Sequence, residues 1–368
     1  MGGSEGRGGA SHNLPSHVDP ELIPLHSPGS ALRPTALALG SFDGLHRGHR
    51  RVIEAVVGAG SAGGATGADP VPTVVSFWPH PREVLHGETR LRLDLPGEKL
   101  ALLEPLGIRQ LVLVPFDRAL AALSPEAFVT QVLEGQLQAR RIAVGENFRF
   151  GAGRQGDASD LVRLGRQRGM EVVVLPMLWE GPERVSSSRI RRALAAGRID
   201  EARHLLERPY RFGGQVVSGR GLGRGLGWPT ANLAVDGRKF LPREGVYAAW
   251  AWRAAGGPEE FLPVEGPMAA VMNLGPQPTV DPQAPSAVEV HVLDRNLELV
   301  GEHLIVEPVA LLRDQQRFDG LEALRAQIGA DAARARLLLG SEGSGAAGVG
   351  MGQSPADESG DPTDQQNS

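Results

Sequence analysis

An α/β domain followed by an all-β domain is what the hydrophobic rhythm of the chain predicts: a doubly wound parallel sheet, then a small antiparallel β-barrel with a C-terminal helix. Three observations carry this. Short apolar runs alternate with helical periodicity up to about residue 206. After Arg208-Pro209 strand-like runs follow one another with Gly/Pro punctuation and no helix between them. A single helical stretch then closes the sequence before a Gly/Ser-rich end.

In the first half the strands are expected near Thr35 to Leu39, Thr73 to Phe77, Leu111 to Val114, Ile142 to Val144 and Glu171 to Leu175. Each is short and mainly apolar, the pattern of a strand covered on both faces. After the first strand, His49, Val52, Ile53, Val56 and Val57 recur at helical spacing. Another helix is expected after Ser124, with the serine as N-cap, Pro125 at the first helical position, and Phe128, Val132 and Leu133 inward. The Gly/Ala run from Gly58 to Asp69 reads as a loop. In the second half, Val246 to Trp252, Met268 to Leu274, Ala287 to Leu293 and Leu304 to Leu312 read as strands. Leu321, Leu324, Ile328 and Leu337 to Leu339 mark the expected apolar side of the last helix.

Composition sets the organisation and excludes several classes. The 368 residues predict two domains, 32–206 and 207–340, with the boundary near Glu207. Residues 1–31 and 341–368 are Gly/Ser/Asp/Pro-rich and are expected to be disordered tails. A formal net charge of -5 argues against a nucleic-acid partner. Lys99 and Lys239 are the only lysines, a bias that GC-rich codons explain. With no cysteine, disulfides and thiolate metal sites are excluded. No secretory signal, myristoylation motif or apolar run of spanning length is visible, so a cytoplasmic location without a membrane partner is expected.

The chemistry starts at Leu39-Gly40-Ser41-Phe42-Asp43-Gly44-Leu45-His46-Arg47-Gly48-His49, a strand-to-helix turn. Helix amides without internal partners, together with the helix dipole, favour an anion there, and His46 and His49 add donors at i and i+3. This suits a phosphoryl or nucleotidyl transition state. A chelating histidine pair, or a capping histidine, is the alternative. Three more clusters follow strands: Trp78-Pro79-His80-Pro81; Gly145 to Gly151 with Arg154 and Gly156-Asp157; and Val185-Ser186-Ser187-Ser188-Arg189-Ile190-Arg191. Serine-rich helix starts are usually caps, but together these clusters put hydroxyls, amides and guanidiniums at one end of a sheet.

In the second half, Gly219 to Asn232 is a Gly/Arg loop that is neither a P-loop nor a dinucleotide fingerprint. Thr230 and Asn232, two apart on an extended chain, face the same way and are hard oxygen ligands suited to Mg²⁺. From Ala287 to Asp294 the residues alternate, with Val288, Val290 and Val292 on one face and Glu289, His291 and Leu293 on the other. Glu289 is either a solvated strand residue or the carboxylate that a kinase acting on an alcohol needs.

GSFDGLHRGH, SFWPHP, GENFRFG and VSSSRIR, in that order, resemble the adenylyltransferase module of the bacterial bifunctional riboflavin kinase/FMN adenylyltransferases, or FAD synthetases. RPY, GRGLGRGLGWPTAN, REGVYA, MNLGPQPTV, VEVHVLD and LLRDQQRF extend the resemblance through riboflavin kinase, over about residues 33 to 339. It implies a nucleotidyltransferase-like Rossmann sheet, with riboflavin, FMN and ATP as substrates and Mg²⁺ as cofactor. His46 and His49 would then grip ATP phosphates, with Arg191 in the catalytic set. Gly40, Phe42, Asp43 and Gly48 would shape the nucleotide pocket, completed by Asn147, Ser187 and Ser188. In the kinase half the resemblance implies ATP at Gly223, Gly227, Thr230 and Asn232, Mg²⁺ on Thr230 and Asn232, and Glu289 deprotonating the ribityl 5′-hydroxyl. Arg313 would lie near the flavin. Ser41 and Asn147 stand where many members carry Asn and Asp, and Trp228 where Phe is common. Nucleotidyltransferases with other acceptors share HxGH but do not resemble the PTAN loop or the VEVH strand.

Overall fold

The computed structural model describes residues 23–58, 69–219, 227–255, 261–275 and 288–343. The expected tails beyond these limits, most of the Gly58 to Asp69 loop, and Gly223 lie outside the described residues.

The first half runs β1 (Leu25–His26), β2 (Thr35–Leu39), α1 (Arg47–Glu54), β3 (Val71–Trp78), α2 (Pro81–His86), α3 (Pro96–Leu103) and β4 (Gln110–Pro115). It continues through α4 (Arg118–Ala121), α5 (Pro125–Phe128, extended as a π-helix over Val129–Gln136) and β5 (Ala139–Gly145). Then come a small hairpin, β6 (Arg149–Phe150) and β7 (Gly156–Asp157), followed by α6 (Ala158–Gln167) and β8 (Glu171–Leu175). A second hairpin, β9 (Trp179–Glu180) and β10 (Glu183–Arg184), precedes α7 (Ser187–Ala195) and α8 (Ile199–Leu206). The six main strands form one parallel sheet in the order β1-β4-β3-β2-β5-β8. Alternation along β2 explains the layers. Ala36 and Ala38 face Val52, Ile53 and Leu103 on one side, while Leu37 and Leu39 face Phe128, Val132 and Leu133 on the other. Ser124 caps α5 as expected, accepting from the Ala127 amide at 3.1 Å.

The strand order reverses between β2 and β5, and the crevice beyond the carboxyl ends at such a point is where open α/β sheets place ligands. The loops after β2 and β5 flank it.

The second half is a closed antiparallel barrel in the order β11-β12-β15-β14-β13-β16. Its strands are β11 (Phe212–Val217), β12 (Ala231–Val235), β13 (Gly245–Ala255), β14 (Leu262–Leu274), β15 (Val288–Val292) and β16 (His303–Arg313). The helix α9 (Leu321–Gly343) covers β13, β14 and β16. Among the described residues no helix is long and apolar enough to cross a membrane.

Two expectations are corrected. Residues 23–31, expected as part of a tail, pack on the parallel-sheet domain: Ile23 and Ala31 are buried, and Leu25 and His26 pair with Leu111 and Val112. A two-residue strand in Pro-rich sequence has no periodicity to detect. The packed face of α9 is also only partly the expected one, since Leu338 and Leu339 pack on the barrel while Leu321 and Leu337 do not. Leu321 and Leu337 are 69% and 77% exposed, and the helix packs through Asp331, Ala332, Ala335 and Leu339, where small side chains allow close approach to the barrel. Nor does packing stop at Glu207, since Ile190, Leu194 and Leu205 share one core with Phe212, Tyr247 and Leu304 of the barrel.

Candidate functional site

Three left-handed residues in four positions, Phe42 (φ 44°), Gly44 (φ 93°) and Leu45 (φ 40°), turn the chain from β2 into α1. Phe42 and Leu45 are buried in the core, so hydrophobic burial opposes the local strain. His46 is the N-cap of α1 and its Nδ1 accepts from the His49 amide at 3.3 Å. Its ring proton therefore sits on Nε2, free to donate outward. The His49 ring stacks on it with centroids 3.6 Å apart, and Phe42 meets His49 edge-on at 5.3 Å. Capping and anion binding, alternatives in the sequence, are thus compatible in one residue.

Both imidazoles are held neutral. Burial, aided by Arg184, lowers the His46 pKa to about 4, against the opposing pull of Asp94 and Asp43. Burial, then the neighbouring His46, Lys99 and Arg184, hold His49 well below the usual histidine value. Neutral imidazoles can donate hydrogen bonds but carry no charge of their own. The loop packs tightly at two glycines: a Cβ at Gly48 would lie 3.3 Å from the His46 ring, and one at Gly40 would lie 3.2 Å from the Phe42 ring.

Asp43 organises the loop. Its carboxylate accepts from the Leu93 amide at 2.8 Å and pairs with Arg191, while its carbonyl accepts from Ser187 Oγ at 2.7 Å. Burial works to raise its pKa, but Arg191, Lys99 and the hydrogen bonds outweigh this and hold it low. Ser187 and Arg191 therefore meet the loop through Asp43, and Ser186 is the cap of α7, accepting from the Arg189 amide at 3.3 Å. Ser188 is exposed, and Asn147 is exposed beyond the end of β5 across the strand-order reversal. His80 caps α2, its Nδ1 accepting from the Arg82 amide at 3.1 Å.

Two cations escaped the sequence reading. Arg184, on β10 just before the serine run, acts electrostatically on both histidines. Lys99 is buried, with Nζ 3.4 Å from the Ser41 carbonyl, and lines a small cavity with Ser41, Asp43, His80 and Arg92. The available signal was the rarity of lysine itself.

In the barrel, register builds the second site. Asn232 on β12 is directly opposite Glu289 on β15, and Glu289 is opposite Asn273 on β14. Asn273 Nδ2 donates to Glu289 Oε2 at 3.5 Å, and Gln315 Nε2 donates to Asn273 Oδ1 at 2.7 Å. Glu289 is half-buried in this row. The loop entering β12 is pinned as well: His291 Nδ1 lies 2.7 Å from the Pro229 carbonyl, and Trp228 meets the His291 ring edge-on at 5.1 Å. A Cβ on Gly219 would lie 2.0 Å from Asn232 Nδ2, so any larger residue there would displace the Asn232 side chain. Thr230, Asn232, Ser218 and Gly219 edge a cavity of about 240 Å³ whose walls include Val216, Val292 and Leu299. Gly227, with φ 82°, sits where the loop re-enters the described chain. Arg313 is committed to α9, bonded to Asp331 through Nε and Nη2, each at 2.9 Å.

Residues 29–189 match the FAD synthetase family and residues 206–339 the riboflavin kinase family. The bifunctional riboflavin kinase/FMN adenylyltransferase of Escherichia coli strain K12 is 37% identical over 306 residues, covering 83% of this chain and 92% of that protein. That of Pseudomonas fluorescens is 35% identical over 321 residues, covering 85% and 96%. A solved Streptococcus pneumoniae structure, described as a macrolide-efflux protein, shares the fold with a TM-score of 0.72 at 26% identity, covering 86% of this chain and 99% of its own.

Proposed function

The chain belongs to the bifunctional riboflavin kinase/FMN adenylyltransferases, and from that premise we propose how its residues divide the two reactions. It phosphorylates riboflavin to FMN with ATP, and it adenylylates FMN to FAD with a second ATP and release of pyrophosphate. The observation that carries the division is that each half holds its own set of site groups: the stacked imidazoles at the strand-order reversal, and the Asn232–Glu289–Asn273 row beside the PTAN loop.

In the barrel, Glu289 accepts the proton of the ribityl 5′-hydroxyl as that oxygen attacks the γ-phosphorus and ADP leaves. A carboxylate held at one oxygen by Asn273 keeps its other oxygen for this task. Thr230 and Asn232 suit Mg²⁺, being hard oxygen donors at the mouth of one cavity, with Gly219 leaving room for nothing larger against the amide. Bound there, Mg²⁺ would neutralise charge on the triphosphate. Arg313 acts on the flavin only indirectly, by fixing α9 through Asp331.

In the parallel-sheet domain, the FMN phosphate attacks the α-phosphorus of ATP and pyrophosphate leaves. His46 Nε2–H and the His49 ring donate to phosphate oxygens, and the first amides of α1 aim at the same charge. Arg184 and Lys99 supply the positive charge that two neutral imidazoles lack. Phe42, Asp43, Ser187 and Arg191 hold the loop, with Asn147 and Ser188 at the exposed rim.

Incubation with riboflavin, ATP and Mg²⁺, followed by chromatography of the flavins, is expected to show FMN and then FAD; supplied FMN is expected to give FAD and pyrophosphate. Formation of neither flavin would overturn the assignment.

A further inference from the structure

Glu207 and Arg208 fall in the stretch matched to riboflavin kinase, yet their charged ends reach back into the histidine loop of the other domain. Arg208 Nη2 donates to the Gly44 carbonyl at 3.1 Å and to Asp94 Oδ1 at 2.9 Å. The other oxygen of Asp94 accepts from the Gly44 amide at 2.8 Å. Both polar groups of the Gly44 backbone are thus clamped by one buried ion pair, in which the side chains of Arg208 and Asp94 are 14% and 2% exposed. Gly44 is the left-handed residue two positions before His46, and a Cβ there would lie 2.8 Å from Leu93. Its conformation fixes where the imidazole pair begins.

Glu207 grips the other side of the same loop. Its carboxylate lies 3.0 Å from Arg47 Nε and 3.7 Å from Arg50 Nη1. Arg47 stands between the two histidines in the first turn of α1. Glu207 has φ 52°, so the chain kinks at the C-cap of α8 and sends consecutive side chains to opposite ends of the loop.

We infer that Glu207 and Arg208, the dipeptide joining the two domains, are positioning residues of the adenylyl-transfer site, holding the Gly44-to-Arg47 turn so that His46 and His49 stay aligned on phosphate. They touch neither substrate nor reacting atoms. The inference rests on the assignment of adenylyl transfer to the histidine pair, so the test separates the two. A loop displaced by about 1 Å loses a large part of the rate even when the chemical groups remain.

The experiment compares Arg208→Met, Arg208→Lys, Glu207→Gln and His49→Ala in the full chain, assaying FMN formation from riboflavin and FAD formation from supplied FMN. Arg208→Met is expected to lower kcat for FAD formation by about tenfold to a hundredfold with KM for FMN nearly unchanged, and to leave FMN formation intact. Arg208→Lys, which keeps one donor for Asp94 or the Gly44 carbonyl, is expected to recover part of the rate. Glu207→Gln, at a half-exposed position that does not threaten folding, is expected to give a smaller loss in FAD formation only. Unchanged FAD formation in Arg208→Met and Glu207→Gln, with His49→Ala inactive in that step, would overturn the inference and leave the histidine assignment standing. An active His49→Ala would overturn the assignment itself. Equal loss of both activities, with a lower melting temperature and no recovery in Arg208→Lys, would make Arg208 a structural strut and also overturn the inference.

Discussion

Lys239 Nζ lies 2.6 Å from Glu98 Oε2 across the domain boundary, both side chains almost wholly buried. The ammonium also donates to the carbonyls of Leu93 at 2.7 Å and Arg211 at 3.0 Å, and sits 4.6 Å from the centre of the Tyr210 ring. The two lysines of the chain are thus both buried, Lys99 beside the histidine loop and Lys239 in the joint. Burial pushes the Glu98 carboxyl up, and Lys239 pulls it back. Lys239→Met would leave that carboxylate unpaired and is expected to cost about 3–5 kcal/mol in urea unfolding. Adding Glu98→Met is expected to restore most of the loss; an undiminished loss in the double variant would show that the pair is not the cause.

Acid sensitivity follows from the buried imidazoles. His46 and His80 are both lowered to about 4, chiefly by burial and then by nearby arginines, and burial also holds His49 well below the usual histidine value. Between the unfolded value near 6.5 and about 4, the unfolded chain takes up protons that the folded chain refuses, so stability is complete above 6.5 and falls with falling pH. His80→Asn keeps a cap acceptor for α2 while removing one titrating ring, and is expected to flatten the dependence of melting temperature on pH in that window. An unaltered slope would show that His80 titrates normally. FAD formation, using neutral imidazoles, is expected to show no change in rate on crossing pH 6.5.

Much of this was legible in sequence, where the information is local. The histidine turn announces itself because glycines, an apolar strand and a helical repeat are contiguous from Thr35 to Val57. Glu289 could be placed on the outward face of β15 by simple alternation. What was hidden is set by register and by distant packing. Asn232 and Glu289 become neighbours only through the β12–β15 pairing, and Arg184 reaches the histidines from a two-residue strand with no pattern of its own. The packed face of α9 includes Leu338 and Leu339 as expected, but Ala332 and Ala335 complete it, because small side chains allow close helix-to-barrel approach, while Leu321 and Leu337 stay outside. Arg313 pairs with Asp331, a partner that sequence spacing does not reveal.

Asn232→Ala removes an oxygen donor beside Glu289 without touching the other domain. FMN formation is expected to require at least about tenfold more Mg²⁺ for half-maximal rate, with FAD formation from supplied FMN unchanged. A Mg²⁺ titration of the two activities checks this, and identical curves for the variant and the unaltered chain would remove Asn232 from the metal site.

The most direct test of two separate sites is a crossed assay of Glu289→Gln and His49→Ala, each measured for phosphorylation of riboflavin and for adenylylation of supplied FMN. Glu289→Gln is expected to lower FMN formation by about 10²–10⁴-fold and leave FAD formation from FMN intact, while His49→Ala does the reverse. Equal impairment of both reactions by either substitution would contradict the division of labour between the barrel and the parallel sheet.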